Sequence, residues 1–204
     1  MKRSLLFLAL ITFFGSGFIQ AQSGMTDEER KRAVKHMSDT QDDLFKTIKG
    51  LSDEQLNFRV VEDSWTVAEC IRHMTISENT IWAGFVEAPL ATDPDPSRRS
   101  EVTMTDDQIL GIIESRAQGV RTSAPFEPEN KPEPLDQVLK EFKQMRADHI
   151  KFTKKTKEDL RNRYGTLPFG TIDAYQALLF MSGHTRRHID QIKEVMASAN
   201  FPEK

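Results

Sequence analysis

The chain lacks the features that mark several protein classes. It has one cysteine, Cys70, so no internal disulfide can form and packing must stabilise the fold. It has no glycine-rich phosphate loop, no G-x-S-x-G run and no H-E-x-x-H run. It has no basic excess: 28 Lys and Arg stand against 31 Asp and Glu, which gives no electrostatic reason to expect nucleic acid as a partner. It shows no convincing alternating strand pattern and no internal repeat. Its N-terminal apolar run, Leu5 to Phe14, is too short to span a bilayer comfortably.

That run follows Lys2-Arg3 and precedes Gly15-Ser16-Gly17 and Ala21-Gln22. A basic start, a short apolar middle and a small-residue exit predict a secretory signal peptide over 1–21, cut after Ala21. An uncleaved anchor is the rival reading. No cysteine lies near the cut, which argues against a lipoprotein. The expected product is an exported protein, periplasmic or extracellular, with no stable membrane span and one domain over 22–204. Without Lys2 and Arg3 the 28 basic residues fall to 26 against 31 acidic ones, a formal charge of −5.

What remains reads as helix. Thr26 with Glu29 forms a capping box for a helix running to about Lys49, with Val34, Met37, Leu44 and Ile48 as its stripe. Ser52 with Gln55 starts a short helical turn. Thr66 with Glu69 opens a helix to about Val86, and Pro89, Pro94 and Pro96 then predict a polar linker. Thr105 with Gln108 starts a further helix carrying Ile109, Ile112, Ile113 and Val120. A second linker runs from Ala124 to Pro134. Leu135 to about Leu160 carries Val138, Leu139, Phe142, Met145 and Phe152 on one face. Arg161 to Gly170 reads as a loop, and Thr171 is expected to cap a last helix ending near Ala199. The fold class is therefore all-α: a four-helix bundle with one extra inserted helix and a short helical turn.

Three histidines carry the chemistry. His184 and His188 are four apart, so their imidazoles share one helical face one turn apart and can hold one metal ion. They sit among Ala177, Met181, Ile192 and Val195, in the middle of an apolar stripe where bare imidazoles are costly to bury. His73 lies one turn beyond Glu69, flanking a stripe of Val67, Cys70, Met74, Ile81 and Phe85. The competing reading makes His184 and His188 core histidines hydrogen-bonded to polar neighbours and His73 a boundary histidine. Glu69 either orients the His73 ring or completes the capping box, the cap being the simpler role. Gln41 and Gln191 are candidate polar pocket residues. Met181 and Ile192 are expected to face a partly apolar substrate. Cys70 reads as a small buried hydrophobe, His36 as a surface residue, His149 as core packing, and Arg186 and Arg187 as solvated.

Three runs resemble the DinB/YfiT-like superfamily of metal-dependent helical proteins. Ser64-Trp65-Thr66-Val67-Ala68-Glu69 leading to His73 is similar to its first ligand helix. Leu167-Pro168-Phe169-Gly170-Thr171-Ile172-Asp173-Ala174 is similar to the approach to its last helix. His184-x-x-x-His188-x-x-Gln191 resembles its second ligand motif, and Leu51-Ser52-Asp53-Glu54-Gln55-Leu56 adds weaker support. Together they cover nearly all of the mature chain, and their order and separation are more specific than any one alone. The resemblance implies a four-helix bundle with a divalent metal, zinc or nickel, on His73, His184 and His188. It also implies kinship with bacillithiol- or mycothiol-dependent S-transferases and a mycothiol-dependent maleylpyruvate isomerase. The region from about Ala88 to Pro134 looks like an insertion on the minimal bundle. Low-molecular-weight thiols are concentrated in the cytosol, so an exported member departs from the transferase pattern.

Three functions follow. One is a metalloenzyme in which the ion activates water or a thiol toward a small molecule. The second is a non-catalytic module binding metal or a small ligand. The third is a structural bundle, a homodimer being compatible with it, whose histidines are packing residues. Sequence alone does not choose among zinc, nickel and other first-row ions, since a three-nitrogen site accepts several.

Overall fold

A computed structural model describes residues 24–117 and 122–203. The expected signal segment and Val120 lie outside the described residues. Helix α1 spans Asp27–Ile48, α2 Asp53–Leu56, α3 Val67–Trp82, α4 Ala88–Leu90, α5 Asp106–Glu114, α6 Leu135–Lys155 and α7 Ala174–Met196. The capping boxes at Thr26, Ser52, Thr66 and Thr105 all form, each satisfying two otherwise unpaired N–H groups. Helices α1 and α3 each pack on both α6 and α7, giving a ring of order α1–α6–α3–α7. Helix α5 lies on α7 outside the ring. No helix among the described residues is long and apolar enough to cross a membrane.

Three local features differ from the sequence expectation. Pro89 does not end the third helix. Helix α3 runs through a π-helical turn, Ala83–Glu87, in which Ala88 N–H reaches back to the Ala83 carbonyl, and continues as α4. The wider turn accommodates a ring that would otherwise clash with the carbonyl four residues earlier. The Arg161–Gly170 loop is instead largely a hairpin. Strands β1 (Tyr164–Leu167) and β2 (Gly170–Asp173) pair antiparallel, and Gly170 supplies a φ of 141°. Finally, Thr171 pairs with Thr166 in that hairpin, so Asp173 caps α7, in a capping box with Gln176.

The N-terminal ends of three helices are gathered by one side chain. Arg161 donates to Glu29 at the start of α1, to Asp106 at the start of α5, and to the α7 cap Asp173. Its guanidinium lies 4.0 Å from the centre of the Tyr175 ring. The core has two apolar clusters. One holds Met37, Ile81, Leu178 and Met181; the other holds Leu44, Met74, Phe142 and Ile189. Along each main helix the switch between clusters falls at a polar residue: Thr40 on α1, Glu78 on α3, Arg146 on α6 and Thr185 on α7.

Candidate metal centre

The polar residues between the clusters form one network. Arg146 donates to Glu78 through Nε and Nη2, at 2.8 and 2.6 Å, and also to Thr40, the Met37 carbonyl and Thr185. His149 joins it at 2.9 Å from Glu78 and stacks on Trp82 at 3.9 Å. Burial opposes ionisation of Glu78, but Arg146 and His149 outweigh it and hold the carboxyl below its ordinary range. The three histidines lie on the side of this layer that holds the second cluster: His184 directly precedes Thr185 on α7, His188 follows it by three residues, and His73 precedes Glu78 by five on α3.

The structure brings His73, His184 and His188 together. His184 Nε2 lies 3.2 Å from His73 Nε2 and 3.2 Å from His188 Nε2. His73 is buried rather than at the boundary of the stripe, His188 is buried, and His184 is half-buried. Two of the rings have a fixed tautomer. His73 Nδ1 lies 2.7 Å from the Phe126 carbonyl, which can only accept, so Nδ1 carries the proton. His188 Nδ1 lies 2.9 Å from Gln191 Oε1, and the same oxygen faces the donor-only Arg116 guanidinium at 3.4 Å, so here too Nδ1 donates. Both Nε2 lone pairs therefore point at His184. A single N–H on His184 could satisfy only one of them, and the Ser77 hydroxyl stands as far as 3.5 Å from His73 Nε2, whereas one cation satisfies all three nitrogens.

The spacing also fits a cation. With metal–nitrogen bonds of about 2.1 Å, two ligand nitrogens near a tetrahedral angle stand roughly 3.4 Å apart, close to the 3.2 Å observed. Protonation is disfavoured throughout. Burial lowers His73 against the opposing bond to Phe126. Burial, His73 and Arg187 push His184 down to about 3. Burial, His184 and His73 hold His188 well below the ordinary value, against its bond to Gln191. All three are thus neutral near pH 7, the form a metal requires. Trp65 covers the cluster, its ring 4.7 Å from His73 and 5.9 Å from His188.

Other sequence-predicted residues fall elsewhere. Glu69 is a cap: its oxygens accept from the Thr66 N–H at 2.7 Å and Arg59 at 2.5 Å, and neither of those bonds involves His73. Gln191 orients His188. Gln41 is half-buried, and its Oε1 has no hydrogen-bond partner among the described residues. Met181 and Ile192 are packed in the two core clusters. Cys70 is buried and unpaired with another cysteine, its thiol pushed up to about 12 by burial. His36 is not a free surface residue; it bonds Ser182 at 2.8 Å and Glu114 at 3.0 Å, tying α1 to α7 and α5. Arg186 pairs with Asp43, and Arg187 is buried at 9% exposure. The sequence reading missed Phe126 and Trp65 as neighbours of the centre. A backbone carbonyl leaves no residue signature, but the aromatic two residues before the Thr66 helix was visible.

Two histidines on one helix of a four-helix bundle and a third on its neighbour define a helical protein with a tris-imidazole site able to hold one metal ion. The DinB superfamily model matches residues 36–192, most of the chain and all three histidines. The chain belongs to the DinB superfamily. No curated protein matches it. Among solved structures it is similar to YfiT from Bacillus subtilis, described as a probable metal-dependent hydrolase with an unusual four-helix bundle topology. The TM-score is 0.52 and the identity 13%, over 86% of this chain and 90% of that one. At that identity the likeness is one of fold.

Proposed function

We propose that the protein is an exported metalloenzyme acting on a small molecule, with a divalent ion, zinc or nickel, held by His73, His184 and His188. The observation that carries this reading is the convergence of three neutral Nε2 atoms, two of them fixed as lone pairs by Phe126 and Gln191. When bound, such an ion supplies Lewis acidity that makes water or a thiol nucleophilic near neutral pH. The chain's own residues hold and orient. Phe126 and Gln191 lock two rings, Trp65 shields them from solvent, and the α3–α7 packing keeps His73 opposite His184. No carboxylate joins the cluster among the described residues. Export rests on the basic and apolar N-terminal pattern, and it favours hydrolysis over transfer of a cytosolic thiol.

The test is turnover of a panel of esters, amides and thiol-reactive electrophiles, with and without a low-molecular-weight thiol. Zinc- and nickel-loaded protein is compared with His184→Ala. Turnover that vanishes in the variant and with chelator is expected. Stoichiometric metal with no turnover by either form would replace this reading with a non-catalytic metal-binding module.

A further inference from the structure

Ser77 lies on α3 one turn beyond His73, on the same face, with 1% of its surface exposed. Its hydroxyl is placed differently from the other buried hydroxyls within the described helices. Thr40, Thr75, Thr153, Ser182 and Thr185 each donate to a carbonyl three or four residues back. Ser77 makes no such bond; among the described residues its partner is His73 Nε2, at 3.5 Å. That length exceeds a normal hydrogen bond, and the same nitrogen faces His184 Nε2 at 3.2 Å. Once an ion takes the His73 Nε2 lone pair, the Ser77 O–H has no remaining acceptor among the described residues. A buried donor in that state is costly unless something entering the centre accepts from it.

We infer that Ser77 is the hydrogen-bond donor that holds the carbonyl oxygen of a bound carboxylic ester or amide at the histidine centre. The other role open to a serine hydroxyl, that of nucleophile, needs a base to take its proton. Glu78 is next in the chain, but Arg146 and His149 occupy its two oxygens. His73 Nε2 serves as a ligand and is not free to act as that base. A donor needs no such partner. A buried hydroxyl held on a helix beside the ligand nitrogens supplies a fixed dipole where charge builds on an acyl oxygen. One neutral donor matches the single oxygen of a carbonyl. His184 stays half-buried rather than fully enclosed, which leaves the centre an approach on its side. This assignment rests on the metalloenzyme reading and narrows its substrate to one with a reacting carbonyl.

The experiment loads wild type and Ser77→Ala with cobalt(II), a spectroscopic stand-in that a three-nitrogen site also accepts. Acetate and imidazole are titrated into each while the visible absorption bands are followed. Acetate stands in for the acyl group and keeps an acceptor lone pair for Ser77. Imidazole, bound through one nitrogen, offers only an N–H at the other. Alanine favours the helix and removes one atom, so the variant should fold and take up cobalt as the wild type does. Acetate should bind the variant about tenfold more weakly, with imidazole affinity unchanged to within about twofold. A merely structural role for Ser77 would move both ligands together. The inference is overturned if acetate binds neither protein or both alike, if imidazole weakens as much as acetate, or if the variant loses cobalt. A wild type that takes up no cobalt removes the metalloenzyme reading and this inference together, whereas failure of Ser77 alone leaves cobalt uptake intact.

Discussion

Arg146 and Glu78 meet through two bonds of 2.8 and 2.6 Å in the middle of the bundle, and neither side chain reaches solvent beyond 1%. Their layer separates the two apolar clusters and joins all four main helices through Thr40 and Thr185. A buried pair of this kind adds little net stability over an apolar pair of the same volume, because desolvation offsets attraction. Its evident consequence is register: only one axial alignment of the helices brings the four polar groups together. That alignment also places His73 opposite His184.

Removing one partner strands the other. Glu78→Ala or Arg146→Ala should each cost about 3–5 kcal/mol in chemical unfolding. A paired Glu78→Leu, Arg146→Met replacement should recover much of that loss. A double-mutant cycle that finds the two single losses additive would show that the pair is not coupled.

The chelated protein should lose stability as the pH falls from neutral toward about 5. His36, His73, His184 and His188 are all held below the ordinary histidine value, burial being the largest cause for each. The unfolded chain, with histidines near pKa 6.5, then binds more protons than the native one. The stabilisation is therefore present above about 6.5 and is lost as pH drops toward the folded-state values, at up to about 1.4 kcal/mol per pH unit per histidine. Urea midpoints of wild type and His184→Ala across this window are the check. The variant's decline should be shallower, and equal midpoints at both ends of the range for the wild type would refute the linkage.

Gly183, next to His184, is where α5 crosses α7. A Cβ there would stand 2.6 Å from Ile113 Cγ2 and 3.2 Å from Leu110 Cδ2. Gly183→Ala should destabilise by about 1–3 kcal/mol through overpacking. The damage should concentrate in α5, read as faster amide exchange over 106–114 than in the rest of the bundle. Uniformly unchanged exchange would mean that α5 accommodates the methyl group.

Cys70 should resist thiol reagents in the native state, since its buried thiol is pushed up to about 12 and little thiolate forms at neutral pH. Labelling should follow unfolding in urea. Rapid labelling of native protein would place Cys70 at an accessible site.

Local signals were the most legible part of the sequence. The capping boxes at Thr26, Ser52, Thr66 and Thr105 depend on residues three apart and appear where expected. The spacing of His184 and His188 likewise makes their juxtaposition a property of one helix. Non-local features were not readable. Nothing near His73 announces the Phe126 carbonyl, fifty-three residues away. The strands of the hairpin are four residues each, too short for alternation to register, and they moved the last helix cap from Thr171 to Asp173. Pro89 read as a breaker because a π-turn leaves no compositional mark. The Glu78–Arg146 layer did leave a trace: opposite charges occupy stripe positions on two helices, Glu78 one turn from Met74 and Arg146 one turn from Phe142. Arg187 gave none: its place off the apolar face of the last helix reads as solvated, yet it is buried at 9% exposure.

The central claim is that His73, His184 and His188 hold one divalent ion. Elemental mass spectrometry on protein exported from a bacterial host, beside His184→Ala and His73→Ala, tests it most directly. The account predicts near-stoichiometric zinc or nickel in the wild type and loss of the metal in both variants, with the helical circular dichroism spectrum retained. A wild type that carries no metal and takes up neither zinc nor nickel when they are added would contradict it.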